Sequence, residues 1–164
     1  MRSQGNSGII YRINVKAETP GERGLPKHPI QRAFVKRTGL VGDFNRWRHE
    51  EAQDDPGTAV LLMPLEMIEE LNREGWRIEP GDLGENFTTR GIPYDALAPS
   101  KRYRVGEARI TISKPCDPCS NLYLLSEIGK DQDIVKAMYK RRGWYARVDE
   151  EGEVATGDSV TEIV

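Results

Sequence analysis

The run Tyr103-Arg104-Val105-Gly106-Glu107-Ala108-Arg109-Ile110-Thr111-Ile112-Ser113 carries the clearest apolar–polar alternation in the chain. A period of two residues sends successive side chains to opposite faces, so the stretch reads as strand with one face toward a core. Val105 is out of step with Ile110 and Ile112, and a bulge is expected at Gly106 to restore the register.

Upstream, Ile9-Ile10-Tyr11-Arg12-Ile13-Asn14-Val15-Lys16 alternates from Tyr11 onward and reads as a first strand. Ala33-Phe34-Val35-Lys36-Arg37, closed by Gly39, reads as a second. Ala59-Val60-Leu61-Leu62-Met63 is apolar throughout, the pattern of a strand buried on both faces. Downstream, Trp144-Tyr145-Ala146-Arg147-Val148 and Ser159-Val160-Thr161-Glu162-Ile163 complete the set, with Glu150-Glu151-Gly152-Glu153 as a hairpin-type turn between them.

Helices are few. Pro64 to Trp76 carries Leu65, Ile68 and Leu71 at three-residue spacing, with Pro64 suited to the first helical position. Asp131 to Arg142 opens on an Asp cap, places Ile134, Val135 and Met138 on one face and ends in Lys140-Arg141-Arg142 before Gly143. That acid-first, base-last order suits the helix dipole. Asn121 to Ile128 reads as a short helix, and His49 to Pro56 as an exposed acidic loop. Gly and Pro are spread along the chain rather than gathered into a linker, as turns between short strands require. The expected fold is mainly β: a mixed β-barrel with a few peripheral α-helices, one domain over residues 1–164.

Composition narrows the function. The chain has 24 Lys+Arg against 26 Asp+Glu, a formal net charge of -2, where a dedicated nucleic-acid binder is usually basic. No apolar run approaches the roughly eighteen residues that span a bilayer, so neither nucleic acid nor membrane is an expected partner. The polar start Met1-Arg2-Ser3-Gln4-Gly5-Asn6-Ser7-Gly8 lacks the apolar core of a secretory signal. Two cysteines are too few for a disulfide scaffold, and a reducing, cytoplasmic compartment is expected.

Both cysteines fall in Lys114-Pro115-Cys116-Asp117-Pro118-Cys119-Ser120, after a strand and ahead of the short helix expected from Asn121. A helix start there would favour a thiolate. The pair suits a reversible dithiol, half of a zinc site, or one working cysteine that is nucleophile or metal ligand; the plain alternative is two inert thiols in a Pro-shaped turn. A dithiol motif wants a βαβ surround that the strand pattern lacks, and zinc wants ligands that His28 and His49, far apart in sequence, do not supply. Both histidines read as surface loop residues, and Asp43 as a turn acid.

Gly81-Asp82-Leu83-Gly84-Glu85-Asn86-Phe87-Thr88-Thr89-Arg90-Gly91 combines permissive glycines with clustered hydrogen-bonding groups. It suits the wall of a polar pocket, or else a turn-strand-turn whose hydrogen bonds are spent internally. Lys101-Arg102-Tyr103-Arg104 and Lys140-Arg141-Arg142 are basic clusters: solvated faces, or an anion pocket if they converge.

Taken together, three blocks resemble the MOSC domain, the C-terminal domain of molybdenum-cofactor sulfurases that also occurs alone. They are Pro80 to Thr89, similar to a Gly-Glu-Asn block; Tyr103 to Cys119, similar to a strand leading into a Pro-Cys pair; and Arg142 to Asp158, similar to a closing hairpin. Gly39-Leu40-Val41-Gly42-Asp43 resembles an early Gly-Asp turn of the family. The resemblance implies a β-barrel and a functional cysteine, matched here by Cys119. In the family that thiol carries sulfur as a persulfide, or ligates molybdenum in members that reduce N-hydroxylated compounds. It further implies molybdenum cofactor (molybdopterin), with Glu85, Asn86, Thr88, Arg90 and Arg104 as cofactor-binding residues and Cys119, assisted by Cys116, as the reactive thiol.

Two positions depart from the family pattern. Asp54-Asp55-Pro56-Gly57-Thr58 stands where a His-Gly-Gly segment is common, and Cys116 stands where a basic residue is common. The second supplies a candidate resolving thiol. The family's pyridoxal-phosphate domain has no room in 164 residues, so sulfur or cofactor is expected from a donor or cofactor-delivering protein, or electrons from a redox partner. The rival expectation is a non-catalytic binding module that keeps the barrel without the cofactor.

Overall fold

The structure is a computed structural model that describes residues 4–21, 24–118, 122 and 134–164. In chain order the elements are β1 (Ser7–Val15), β2 (His28–Ile30), β3 (Arg32–Lys36), β4 (Gly39–Leu40), α1 (Arg46–Glu50), β5 (Val60–Pro64), α2 (Leu65–Arg73), β6 (Phe87–Arg90), β7 (Arg102–Val105), β8 (Ala108–Pro115), α3 (Ile134–Ala137), β9 (Trp144–Glu150), β10 (Gly152–Ala155) and β11 (Ser159–Glu162).

Strands pair in the order β11-β7-β8-β9-β5-β6-β1, and β11 pairs back onto β1. Seven strands thus close into a barrel, with β2 hydrogen-bonded beyond β1 and with β10, β3 and β4 forming a separate small sheet. Closure removes the exposed edges that an open sheet would offer. The β5–β6 pair is parallel while its neighbours are antiparallel, which makes the barrel mixed. A parallel pair needs a crossover, and α2 lies on it.

The stretch from Tyr103 divides at Gly106 instead of bulging there. Val105 pairs with Ala108, so Gly106-Glu107 is a two-residue hairpin loop. Gly106 has φ 54, the positive value that a glycine in the first central position of such a loop supplies at no steric cost. The turn lets Val105 and Ile110 both face inward although they are out of phase. The register shifts occur in the β8–β9 ladder instead, with Asp149 of β9 the extra residue opposite Arg109 and Ile110, and Ser113 of β8 the extra residue between Ile112 and Lys114.

Glu150 to Glu153 is likewise no hairpin. β9 pairs with β8 and β5, whereas β10 leaves the barrel and pairs with β3. The expected loop from His49 begins inside α1, where Asn45 Oδ1 accepts the Arg48 N–H at 3.0 Å. Five residues are too few to print a helical period. Pro64 caps α2 rather than opening it, and the helix stops at Arg73. Within the described part of Asp131 to Arg142, helix covers only Ile134–Ala137. Lys140 then takes φ 62, and Arg141 Nε caps the Ala137 carbonyl at 2.9 Å. The short helix expected over Asn121 to Ile128 lies outside the described residues apart from Leu122.

Two apolar layers result. The barrel interior holds Ile10, Ile13, Leu62, Phe87, Tyr103, Val105, Ile110, Ile112 and Val160. A second cluster, including Met63, Ile68, Leu71, Leu83 and Met138, packs helices and loops outside β5. β5 is buried along its whole length because it serves both. Tyr103 reaches out of the first layer to donate to the Ala96 carbonyl at 2.6 Å, and burial pushes its pKa up to about 12, so it stays a donor.

Ile110 has no exposed surface and sits in the barrel interior. Ile110→Ala is expected to lower unfolding free energy by about 2–5 kcal/mol, from lost transfer energy plus the cavity left behind. Urea denaturation measures it; a loss under about 1 kcal/mol would mean that this layer is not the packed core.

Candidate functional site

A buried polar belt runs across the barrel wall where β6 begins. Its local cause is the Gly81-to-Asn86 turn. Gly81 has φ 90, and a side chain there would collide with the Lys27 carbonyl oxygen, so only glycine brings the two loops this close. The Lys27 N–H donates to the Gly81 carbonyl at 2.9 Å and fastens them.

Polar side chains bond one another inside the belt, with Asn14 Oδ1 the one polar atom of theirs buried without a partner among the described residues. Glu85 has no exposed surface; its Oε1 accepts the Gly81 N–H at 3.0 Å and its Oε2 accepts the Thr88 hydroxyl at 2.9 Å. Asn14 Nδ2 donates to the Glu85 carbonyl and to Thr88 Oγ1, each at 3.1 Å. Asn86 Oδ1 accepts the Leu61 N–H at 3.1 Å, and its Nδ2 donates to Asp43 Oδ2 at 2.8 Å. Asp43 also accepts the Lys16 N–H at 2.9 Å and pairs with Lys27 Nζ at 2.7 Å, both side chains being buried. Burial raises the Glu85 carboxyl above its ordinary value, against the hydrogen bonds and the Arg142 charge that lower it.

Next to the belt, where β8 ends and β9 begins, stand Cys116, Arg142 and Tyr94. The Cys116 N–H donates to the Gly143 carbonyl at 2.9 Å, and its buried thiol packs with Leu61 and Tyr145. The Gly143 N–H donates to the Tyr94 hydroxyl at 2.9 Å. Burial pushes the Tyr94 pKa up to about 12, so the phenol stays protonated. Arg142 is buried, and its charge acts on both Glu85 and Tyr94.

The expected site residues therefore separate. Glu85, Asn86 and Thr88 come together, but their hydrogen-bonding groups are spent within the protein, the internal alternative for this loop. Arg90 is exposed and lies over the Tyr11 ring, 5.7 Å from its centroid. Arg104 is exposed on the outer face of β7. Neither joins the belt: alternation turns Arg104 outward, whereas Arg90 shares the parity of Thr88 but stands at the exposed end of β6. Cys116 lies beside the belt, and Cys119 lies outside the described residues. Asp43 is the turn acid expected, and it organises the belt. His49 is exposed. Asn14, Lys27 and Tyr94 were not foreseen as site members, whereas Arg142 belongs to the Lys140-Arg141-Arg142 cluster named as a candidate anion pocket. A polar Asn14 between Ile13 and Val15 was an available signal. Among the described residues no three His, Cys, Asp or Glu side chains converge as a metal cage.

Residues 49–161 match the MOSC domain family, well over half of the chain. The chain belongs to the MOSC domain family. It is 28% identical over 142 residues to the uncharacterized protein YflK of Bacillus subtilis (strain 168), a match that covers 83% of this chain and 61% of that protein's length. Among solved structures it resembles YiiM from Geobacillus stearothermophilus, with a TM-score of 0.73 and 26% identity over 96% of this chain and 75% of that one. It also resembles the YuaD protein of Bacillus subtilis, with a TM-score of 0.78 and 19% identity over 97% of each chain. The mixed barrel with its few helices is the MOSC fold, and the Gly-Glu-Asn block of the resemblance is the segment that builds the polar belt.

Two variants test the belt. Lys27→Met leaves the Asp43 carboxylate buried without its cation and is expected to cost about 3–5 kcal/mol, whereas Lys27→Met with Asp43→Asn costs less than the single change. A double-mutant cycle from denaturation curves measures the coupling, and strictly additive losses would refute the pairing. Glu85 supplies a pH test. Its folded value is raised, so the folded state holds the proton more tightly, and this group's contribution to stability falls as pH rises above 4.5. The stability of wild type relative to Glu85→Gln is expected to decline with pH over that range; a flat or rising difference would contradict the burial.

Proposed function

We propose that this MOSC-domain chain handles molybdenum cofactor, or the sulfur destined for it, through Cys119, with Cys116 as a second thiol. The observation that carries the reading is the family match, joined to the position of Cys116 beside the polar belt, from which Cys119 is three residues on in sequence. The donor set suits such a group. Thiols are soft ligands of the kind that suit molybdenum, and a buried guanidinium at Arg142 suits an anionic cofactor. When bound, the cofactor supplies two-electron redox chemistry at its metal.

The chain's own residues do the rest. Glu85, Asn86 and Thr88 fix the shape of the wall instead of offering free donors. Cys116 and Cys119 provide nucleophilic sulfur, most reactive as thiolate. In the carrier form of the reading, a persulfide on Cys119 is attacked at its inner sulfur by the Cys116 thiolate. The S–S bond of the persulfide breaks, a Cys116–Cys119 disulfide forms, and hydrosulfide leaves with the bonding pair. A thiol reductant then restores the dithiol. The sulfur donor, cofactor-delivering protein or redox partner comes from outside the chain.

A non-catalytic binding module is the second reading, favoured by Cys116 and Asp54-Asp55-Pro56-Gly57-Thr58 standing where the resemblance has a basic residue and a His-Gly-Gly segment. Purification from a host that makes molybdopterin separates the two. Molybdenum and pterin are expected to accompany wild type in near-stoichiometric amount and to fall in Cys119→Ala. Mass spectrometry after incubation with a persulfide donor is expected to show added sulfur on Cys119, and in Cys116→Ser that sulfur persists for longer. A protein free of metal and pterin, with neither cysteine gaining sulfur, would overturn the proposal and leave the binding module.

A further inference from the structure

Two adjacent arginines before β9 are handled in opposite ways. Arg141 is a clamp: Nη2 donates to Glu74 Oε1 at 3.0 Å and Nε to the Ala137 carbonyl at 2.9 Å. Arg142 is 6% exposed, and its Nε and Nη1 are shut away from solvent with no hydrogen-bond acceptor among the described residues. Both oxygens of Glu85, the carboxyl whose field it feels, accept from Gly81 and Thr88 instead. The other buried lysine–carboxylate charges cancel, since Lys27 pairs with Asp43 at 2.7 Å. A guanidinium cannot shed its proton, and a buried one without acceptors is among the least favourable groups a fold can carry. Such a group calls for an acceptor supplied from outside.

The surroundings suit one kind of acceptor. Tyr94 feels the same Arg142 charge; its oxygen accepts the Gly143 N–H at 2.9 Å, and its own O–H has no acceptor among the described residues. A Cβ at Gly84 would stand 4.0 Å from Arg142 Nη2 and would collide with Leu25 Cδ2 at 2.7 Å, so the glycine makes room for the Leu25 side chain on the Nη2 side. Nε and Nη1 lie on different edges of the guanidinium and do not act as one fork, and a tetrahedral oxyanion has acceptor oxygens enough to take an N–H of one of them together with the phenol O–H.

We propose that Arg142, with Tyr94 as a second donor, forms a binding site for a phosphate group. The inference deepens the proposed function and rests on it only for the source of the phosphate, either the cofactor's own or that of a separate phosphate-bearing ligand.

Titration of the full chain, purified from a host that makes no molybdopterin, with inorganic phosphate at constant ionic strength is the test. Trp144, whose ring lies 5.5 Å from that of Tyr94, serves as the fluorescence reporter beside calorimetry. Phosphate is expected to bind wild type and Arg141→Gln alike, about tenfold or more weaker to Arg142→Gln, and a few-fold weaker to Tyr94→Phe. Arg142→Lys keeps the charge but loses the directed guanidinium N–H donors and is expected to fall between. If Arg142→Gln does not fold, the thermal midpoint of wild type and Arg142→Lys decides: phosphate must raise it, over chloride of equal ionic strength, more in wild type.

Equal affinity in wild type, Arg141→Gln and Arg142→Gln, or no binding to wild type, would overturn the site. Protein loaded in a pterin-making host settles the source. Bound pterin that excludes inorganic phosphate and is lost in Arg142→Gln supports the site as a seat for the cofactor's phosphate. Undisturbed phosphate binding beside bound pterin supports it as a seat for another ligand. Retained pterin with unchanged phosphate affinity in Arg142→Gln sinks this inference and leaves the cofactor reading standing. Phosphate binding in a chain that never acquires pterin does the reverse.

Discussion

The Asp43 carboxylate ties together segments that the sequence keeps far apart. It accepts from the backbone after β1, from Lys27 in the loop ahead of β2, and from Asn86 ahead of β6. A carboxylate removed from water is tolerable only when it is paired and hydrogen-bonded, so all three partners are held to it. Asn86 in turn anchors the Leu61 N–H of β5, and the Gly81 turn is fastened to Lys27. Loosening this one group would release the loops that build the belt, although the apolar barrel interior would persist.

The belt and the barrel interior are therefore different kinds of structure. The interior is held by non-directional burial, which many side chains share and which tolerates small shifts. The belt is held by directional bonds, each of which leaves a buried orphan when broken. A site gains from that stiffness, because groups whose partners are fixed do not drift from their positions. Arg142 departs from this most, a buried cation with two nitrogens lacking acceptors among the described residues, while Asn14 Oδ1 and Thr89 Oγ1 are neutral atoms also left without a partner there.

Much of the fold was legible. Alternation in Ile9 to Lys16 and the unbroken apolar run at Val60 to Met63 became β1 and β5, and the fully apolar run is explained by cores on both faces. Turns were harder to read. A glycine inside an alternating run reads equally as a bulge or a hairpin, and only the pairing of Val105 with Ala108 chooses. The partner of β10 was illegible for the same reason. Chain proximity suggests β9, but a β3 strand more than a hundred residues upstream supplies the hydrogen bonds.

The site was half legible. The Gly81 to Gly91 loop announced itself through its glycines and clustered polar groups, and the family resemblance pointed to the same segment and to the cysteines. Arg90 shares its strand face with Thr88 yet lies at the exposed end of β6, and where a strand end meets solvent is set by the packing around it and not by residue type. By itself the sequence determined a β-rich barrel, since hydrophobic period and local turn chemistry are written residue by residue, and its three motif blocks carried the family resemblance. Tertiary structure alone decided which polar groups are spent on one another. That depends on long-range closure, which brings Asn14, Lys27, Asp43 and Glu85 into one buried layer and leaves Arg142 beside it without a hydrogen-bond acceptor among the described residues.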